Sequence, residues 1–213
     1  MAQIKKAESR EAILAAAFDL FATRGYGATT LSAIASSAGM STANVYIYFA
    51  SKLEILYAIY TPWMQARLAE LEASLCATAD PQKRLRRLLQ TLWHDIPAEQ
   101  NGFAINMMQA ISTVAPDDGY KPTLLQWMEE RLAVMLGALL PPSKRRGTDT
   151  VALAHLLVMA FDGFIIFRHL APAGTQDEDA IDTMCKLILG APVRARATRA
   201  RRSTGTPSPK NRS

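Results

Sequence analysis

An all-α protein is what this sequence predicts, and three observations carry the expectation. Apolar residues recur at three- and four-residue spacing along most of the 213 residues, the period of a helix face rather than of a strand. Strand-like alternation is scarce. Prolines at Pro81, Pro97, Pro116, Pro141-Pro142 and Pro172 punctuate the apolar stretches, and proline marks helix boundaries because it lacks an N–H and restricts the residue before it. With 49% hydrophobic residues, the chain has ample material for a buried core.

The elements follow in order. A first helix is expected from about Ser9 to Thr23, with Ile13, Leu14, Ala17, Phe18 and Phe21 on one stripe. Arg24-Gly25-Tyr26-Gly27 ends it, since glycine frees the backbone at a helix stop. Thr30 is placed to cap a second helix whose inner face is Leu31, Ile34 and Ala35. Ala38-Gly39-Met40 makes a tight turn, Ser41 caps a third helix, and Val45 and Phe49 point inward. Ser51 caps a fourth helix running from Lys52 to about Leu75, which Pro62 should kink. Longer helices are expected near 82–95, 99–114, 120–140, 148–170 and 177–189. The last stretch, PVRARATRARRSTGTPSPKNRS, has almost no bulky apolar residue and reads as a disordered tail. The expected divisions are 1–52, 53–190 and 191–213.

Charge separates the same three regions. Residues 1–52 hold five Lys/Arg against three Asp/Glu, residues 53–190 twelve against sixteen, and residues 191–213 seven and no acid. The basic balance therefore belongs mostly to the tail, where Arg194, Arg196, Arg199, Arg201 and Arg202 could add non-specific DNA affinity or simply be solvated. The charged, amphipathic start is unlike a signal peptide, and two distant cysteines, Cys76 and Cys185, make no disulfide framework. A reducing, cytoplasmic setting is expected.

From Gly25 to Ser51 the chain carries no charged side chain, yet it is dense in Ser, Thr, Asn and Tyr. Two short helices joined by a glycine turn suit a helix-turn-helix, whose second helix enters the major groove. The spacing G-x-x-T-T-L-x-x-I-A-x-x-A-G-M-S-x-A-x-V-Y-x-Y-F-x-S-K resembles the DNA-binding domain of the tetracycline-repressor (TetR) family over roughly residues 9–60. That resemblance implies that Thr30 meets a phosphate at the start of the second helix. It implies that Ser41, Thr42, Ala43 and Asn44 form the N-terminus of the recognition helix, that Tyr46 and Tyr48 donate hydroxyls to phosphates, and that Lys52 supplies a cationic phosphate contact. The family usually carries Gly where Ala43 stands and Thr where Asn44 stands, so base preference is open.

Read from the residues themselves, the recognition helix has no Arg to pair with guanine. Asn44 is its bidentate donor–acceptor and suits adenine; Ile47 could touch a thymine methyl, and Ser32 could reach the same groove. DNA shape should supply the rest of the specificity, and Lys5, Lys6, Arg10, Arg24 and Lys52 the electrostatic attraction. As packing residues, Tyr46 and Tyr48 would be half-buried.

Residues 151–167, VALAHLLVMAFDGFIIF, are the most hydrophobic stretch. A membrane span is possible by composition, but His155, Asp162 and Gly163 interrupt it, and a buried or interface helix is the better reading. The resemblance implies that this helix and the last one pack against a second copy as a four-helix bundle. Trp93, Phe103, Met107, Met108, Trp127, Met128, Met159 and Phe161 could line an apolar ligand pocket, or simply be core. Asn106, Gln109, His94 and Asp162 are polar groups that could orient a ligand there.

Catalysis is not expected. His94, His155 and His169 have no metal-ligand spacing, and the chain has no Gly-rich phosphate loop or serine elbow. No cofactor is expected. The function expected is a ligand-responsive homodimeric repressor that binds double-stranded DNA at a palindromic operator, with an unidentified small-molecule effector and no membrane partner. An activator, a ligand-independent regulator, or a helical protein-interaction module without DNA binding are the alternatives.

Overall fold

A computed structural model describes residues 2–99, 101–114, 123–170 and 176–190. Every regular element among them is a helix, as the spacing predicts. Helix α1 spans Ala2–Ala28, α2 Leu31–Ser37, α3 Thr42–Tyr48 and α4 Lys52–Leu75. Helix α5, Pro81–Gln90, passes through a π-helical turn, Thr91–Asp95, into α6, Ile96–Ala98. Then come α7, Phe103–Ile111, α8, Thr123–Leu139, and the short α9, Pro142–Arg145. Helices α10, Thr150–Leu170, and α11, Gln176–Leu189, are the last of the described elements.

The first helix starts earlier than expected. Ser9, the anticipated first residue, lies inside it, its hydroxyl donating to the Lys5 carbonyl one turn back at 2.9 Å. Good helix formers before it extend the helix towards the N-terminus. At the other end the helical path breaks at Gly25, whose φ of 78° is left-handed. The next two elements begin as read: Thr30 Oγ1 accepts from Ala33 N at 3.1 Å and Ser41 Oγ from Asn44 N at 3.2 Å. Ser51 Oγ accepts from Glu54 N at 3.1 Å, while Glu54 Oε2 accepts from Ala50 N at 2.6 Å. That exchange is a variant of the capping box, which the S-x-x-E spacing spells out in the sequence.

Helix α4 is continuous through Pro62. Its buried face, Ile55, Leu56, Tyr60, Met64, Leu68, Leu71 and Leu75, packs against α1, α5, α7 and α8. The helix expected over 99–114 is shorter, because Asn101 and Gly102 turn the chain before Phe103. The pairing of α8 with α10 is the most extensive in the fold, and α11 lies on α5. The basic tail and the boundaries at Pro116 and Pro172 lie outside the described residues.

Candidate DNA interface and effector cavity

The helix-turn-helix is built from one buried and one open face. Ile34, Ala35, Val45 and Phe49 enter the core, and Gly39 turns the chain between the helices at a φ of 68°. The opposite face of α3 presents Ala43, Asn44, Tyr46 and Ile47 to solvent, with Tyr46 56% and Ile47 67% exposed. An isoleucine so exposed on a seven-residue helix contributes nothing to the core and is free for an apolar contact. Ser32 and Ser41 are exposed beside it; Thr42 and Tyr48 are half-buried, and Tyr48 packs against the core. A broad groove is lined by Lys5, Lys6 and Ser9 of α1 on one side and by Gly39, Asn44, Ile47 and Tyr48 on the other. The two lysines thus stand across from the exposed face of α3.

Lys52 is placed differently from a free surface cation. Its Nζ donates to the Tyr26 carbonyl and the Thr29 carbonyl, both at 2.7 Å, and lies 4.0 Å from the centre of the Tyr26 ring. Burial pushes its pKa below the usual lysine value. Lys52 therefore pins the end of α1 to the start of α4, leaving one N–H for anything outside the protein.

The end of α1 is held from the far side as well. Asn106 of α7 is fully buried; its Oδ1 accepts from Tyr26 N at 2.7 Å, and its Nδ2 donates to the Phe21 carbonyl at 3.1 Å and to the Tyr60 hydroxyl at 3.3 Å. The Tyr60 hydroxyl in turn donates to the Asn101 carbonyl at 2.8 Å. Gln109 Oε1 accepts from Gly27 N at 3.0 Å. These two side chains bind protein backbone rather than the cavity.

The cavity lies behind α7. It has a volume of about 290 Å³ and is lined by Tyr57 of α4, Phe103, Met107, Met108, Ile111 and Ser112, Leu124 and Met128 of α8, and Phe161, Asp162 and Ile165 of α10, among others. Phe103, Met107, Met108, Met128 and Phe161, expected as pocket residues, come together here. Trp93, Trp127 and Met159 do not: Trp93 is buried with its ring stacked on Phe164 at 4.8 Å, Trp127 is half-buried elsewhere, and Met159 is 57% exposed. His94 lies beside Asp95, its Nδ1 at 3.2 Å from Oδ1. Among the described residues no group of three or more His, Cys, Asp or Glu could hold a metal.

Helix α10 carries both faces of the C-terminal region. Ala154, Leu157, Val158, Phe161 and Ile165 are buried, while Val151, Leu156, Met159, Ile166, Phe167 and Leu170 are exposed. Thr150–Phe167 is long and apolar enough to cross a membrane by length and composition. His155, however, lies 2.7 Å from Glu129 across to α8.

Comparison with known proteins places this geometry. Residues 13–59 match the model for bacterial regulatory proteins of the tetR family. The HTH-type transcriptional activator FasR of Mycolicibacterium smegmatis is 29% identical over 103 residues, covering 48% of this chain and 47% of that one. The chain thus matches about half the length of that curated relative. Among solved structures, the TetR family transcriptional regulator PfmR from Thermus thermophilus is 25% identical with a TM-score of 0.51, covering 83% of this chain and 93% of that one. The transcriptional regulator FadR from Bacillus subtilis, in complex with stearoyl-CoA, has a TM-score of 0.56 at 17% identity, covering 85% and 98%. With its helix-turn-helix matched by the tetR-family model and its helical C-terminal region shared with these solved structures, residues 13–59 are those of a tetR-type DNA-binding domain, and the chain as a whole is similar in fold to transcriptional regulators that carry one.

Proposed function

We propose that this regulator is a cytoplasmic homodimeric repressor, which holds a palindromic operator until a small apolar effector enters the cavity behind α7. The observation that carries the reading is the open face of α3: Asn44 and the 67% exposed Ile47 stand beside capped helix ends. Asn44 pairs with adenine, Ile47 meets a thymine methyl, and Thr30, Ser41, Tyr46 and Tyr48 hold phosphates. Lys5 and Lys6 add the attraction that neutral donors lack. Symmetry follows from groove geometry, since two recognition helices read half-sites about one helical turn apart.

The exposed apolar residues of α10 and α11, Phe167, Leu170 and Leu187 foremost, support a second copy as the partner of that face, with two helices from each chain packed as a bundle. The cavity supports an aliphatic effector, and the fatty-acid association of related regulators agrees with one. Effector binding can shift DNA affinity only by the difference in its affinity for the two head arrangements. One observation favours a second reading: the match to FasR, described as an activator, makes activation the alternative direction of control.

Selection of bound sequences from random DNA, followed by electrophoretic shift, tests the reading. A palindrome is expected, with Asn44→Ala losing about 1–3 kcal/mol of preference at one base pair of each half-site. Failure to bind any palindrome at low salt would leave a helical interaction module. Transcription from the selected site, with and without the protein, decides between repression and activation.

A further inference from the structure

Asp162 is out of keeping with the wall it belongs to. It stands between Phe161 and Gly163 in the most apolar segment of the chain, and on α10 it shares the cavity wall with Phe161 and Ile165. Apart from Tyr57 and Ser112, the other groups lining that space are apolar. No described side chain hydrogen-bonds or ion-pairs with its carboxylate. The backbone cannot serve it either, because Asp162 lies well inside Thr150–Leu170, where amide N–H groups are used within the helix. The helix dipole gives no help so far from the N-terminus. Burial raises its pKa above the usual aspartate value, so the charged form is held at a cost. A carboxylate maintained this way beside an open cavity calls for a partner brought from outside.

We propose that the cavity takes an apolar primary amine, with its aliphatic body against Met107, Met128 and Phe161 and its ammonium on the Asp162 carboxylate. The proposal rests on reading the cavity as the effector site, and it narrows that reading. A free fatty acid is disfavoured, because two carboxylates confined in an apolar space repel. A neutral aliphatic chain gains the same apolar contacts and lacks the ion pair. A volume of about 290 Å³ suits a small, chain-like ligand and sits near the lower end of small-molecule sites.

The test uses the full chain and three probes that share one tail: decylamine, decanol and decanoate, titrated by calorimetry at neutral pH. Decylamine is expected to bind about tenfold tighter than decanol, the value of one partly desolvated ion pair, with decanoate weakest. Asp162→Asn is expected to bring decylamine to the affinity of decanol and leave decanol within about threefold. Circular dichroism and the melting temperature check that this variant is folded. Decanoate binding as tightly as decylamine, an amine preference that survives in Asp162→Asn, or no binding of decylamine would each overturn the proposal. Operator affinity is followed separately by fluorescence anisotropy. Amine binding that requires Asp162 but leaves DNA affinity unchanged would refute the effector reading while upholding the amine site.

Discussion

Lys52, expected from the sequence as a phosphate contact, is also a structural clamp. Two of its N–H groups are committed to the Tyr26 and Thr29 carbonyls at 2.7 Å. Lys52→Met should therefore lower stability by about 1.5–3 kcal/mol, the range for hydrogen bonds to a charged group, before any DNA is added. Urea denaturation of the free protein checks this, and an unchanged midpoint would show the clamp to be idle. Asp162 carries the opposite sign. Its folded-state pKa lies above the ordinary value of 3.8, so between the two values the folded chain binds more protons than the unfolded one, and stability falls as pH rises through that window. The penalty is absent below 3.8 and complete above the folded-state value. Asp162→Asn is accordingly expected to melt higher than the parent at pH 7, with the gain vanishing as pH falls towards 3.8. Thermal melts across that range measure it. A residue that costs stability in this way is more readily explained by what it binds than by what it packs against.

Helix α7 joins the cavity to the reading head. Phe103, Met107 and Met108 face the cavity, while Asn106 and Gln109 hold the backbone at Tyr26 and Gly27. An effector that displaces the cavity side of α7 must carry the Asn106 contacts with it or break them, which makes this helix a candidate route to the helix-turn-helix. Asn106→Leu leaves the buried Tyr26 N–H without its acceptor and should cost about 1–3 kcal/mol, read by urea denaturation. Gln109→Ala should cost less, because the Gly27 bond is exposed to water. In a folded Asn106 variant, effector and DNA should bind more nearly independently, seen as a smaller effector-induced change in operator affinity. The caps of these elements were readable locally: Thr30, Ser41 and Ser51 each bond within three residues of themselves. Asn106 was not, since its partner Tyr26 lies 80 residues away and an asparagine mid-helix has no local signature. The π-helical turn at Thr91–Asp95 was not readable either, since the apolar spacing over 82–95 reads as one helix.

At the scale of the whole molecule, the exposed apolar residues of α10 and α11 are where the proposed dimer would form. Phe167 is 72% and Leu187 71% exposed, and full burial of each in a dimer would contribute about 1.5–3 kcal/mol. Phe167→Asp should weaken dimerisation at least about tenfold and lower operator affinity with it, while the monomer stays folded. Light scattering coupled to size exclusion reports the mass, and a variant that remains dimeric would place the interface elsewhere. The sequence by itself determined the fold class, the three caps and the order of the helix-turn-helix, because helical periodicity, cap chemistry and glycine turns act between residues a few positions apart. It also carried the likeness to tetR-family DNA-binding domains, through the wording of residues 13–59. Only the tertiary structure decided which Met and aromatic residues line a cavity, since Met128 and Trp93 are both buried, one against the cavity and the other stacked on Phe164. It alone decided that Lys52 and Asn106 grip the end of α1 from two sides, and that Asp162 faces an apolar space with no partner among the described residues. Those properties arise from contacts between distant segments, and nothing local in the chain encodes them.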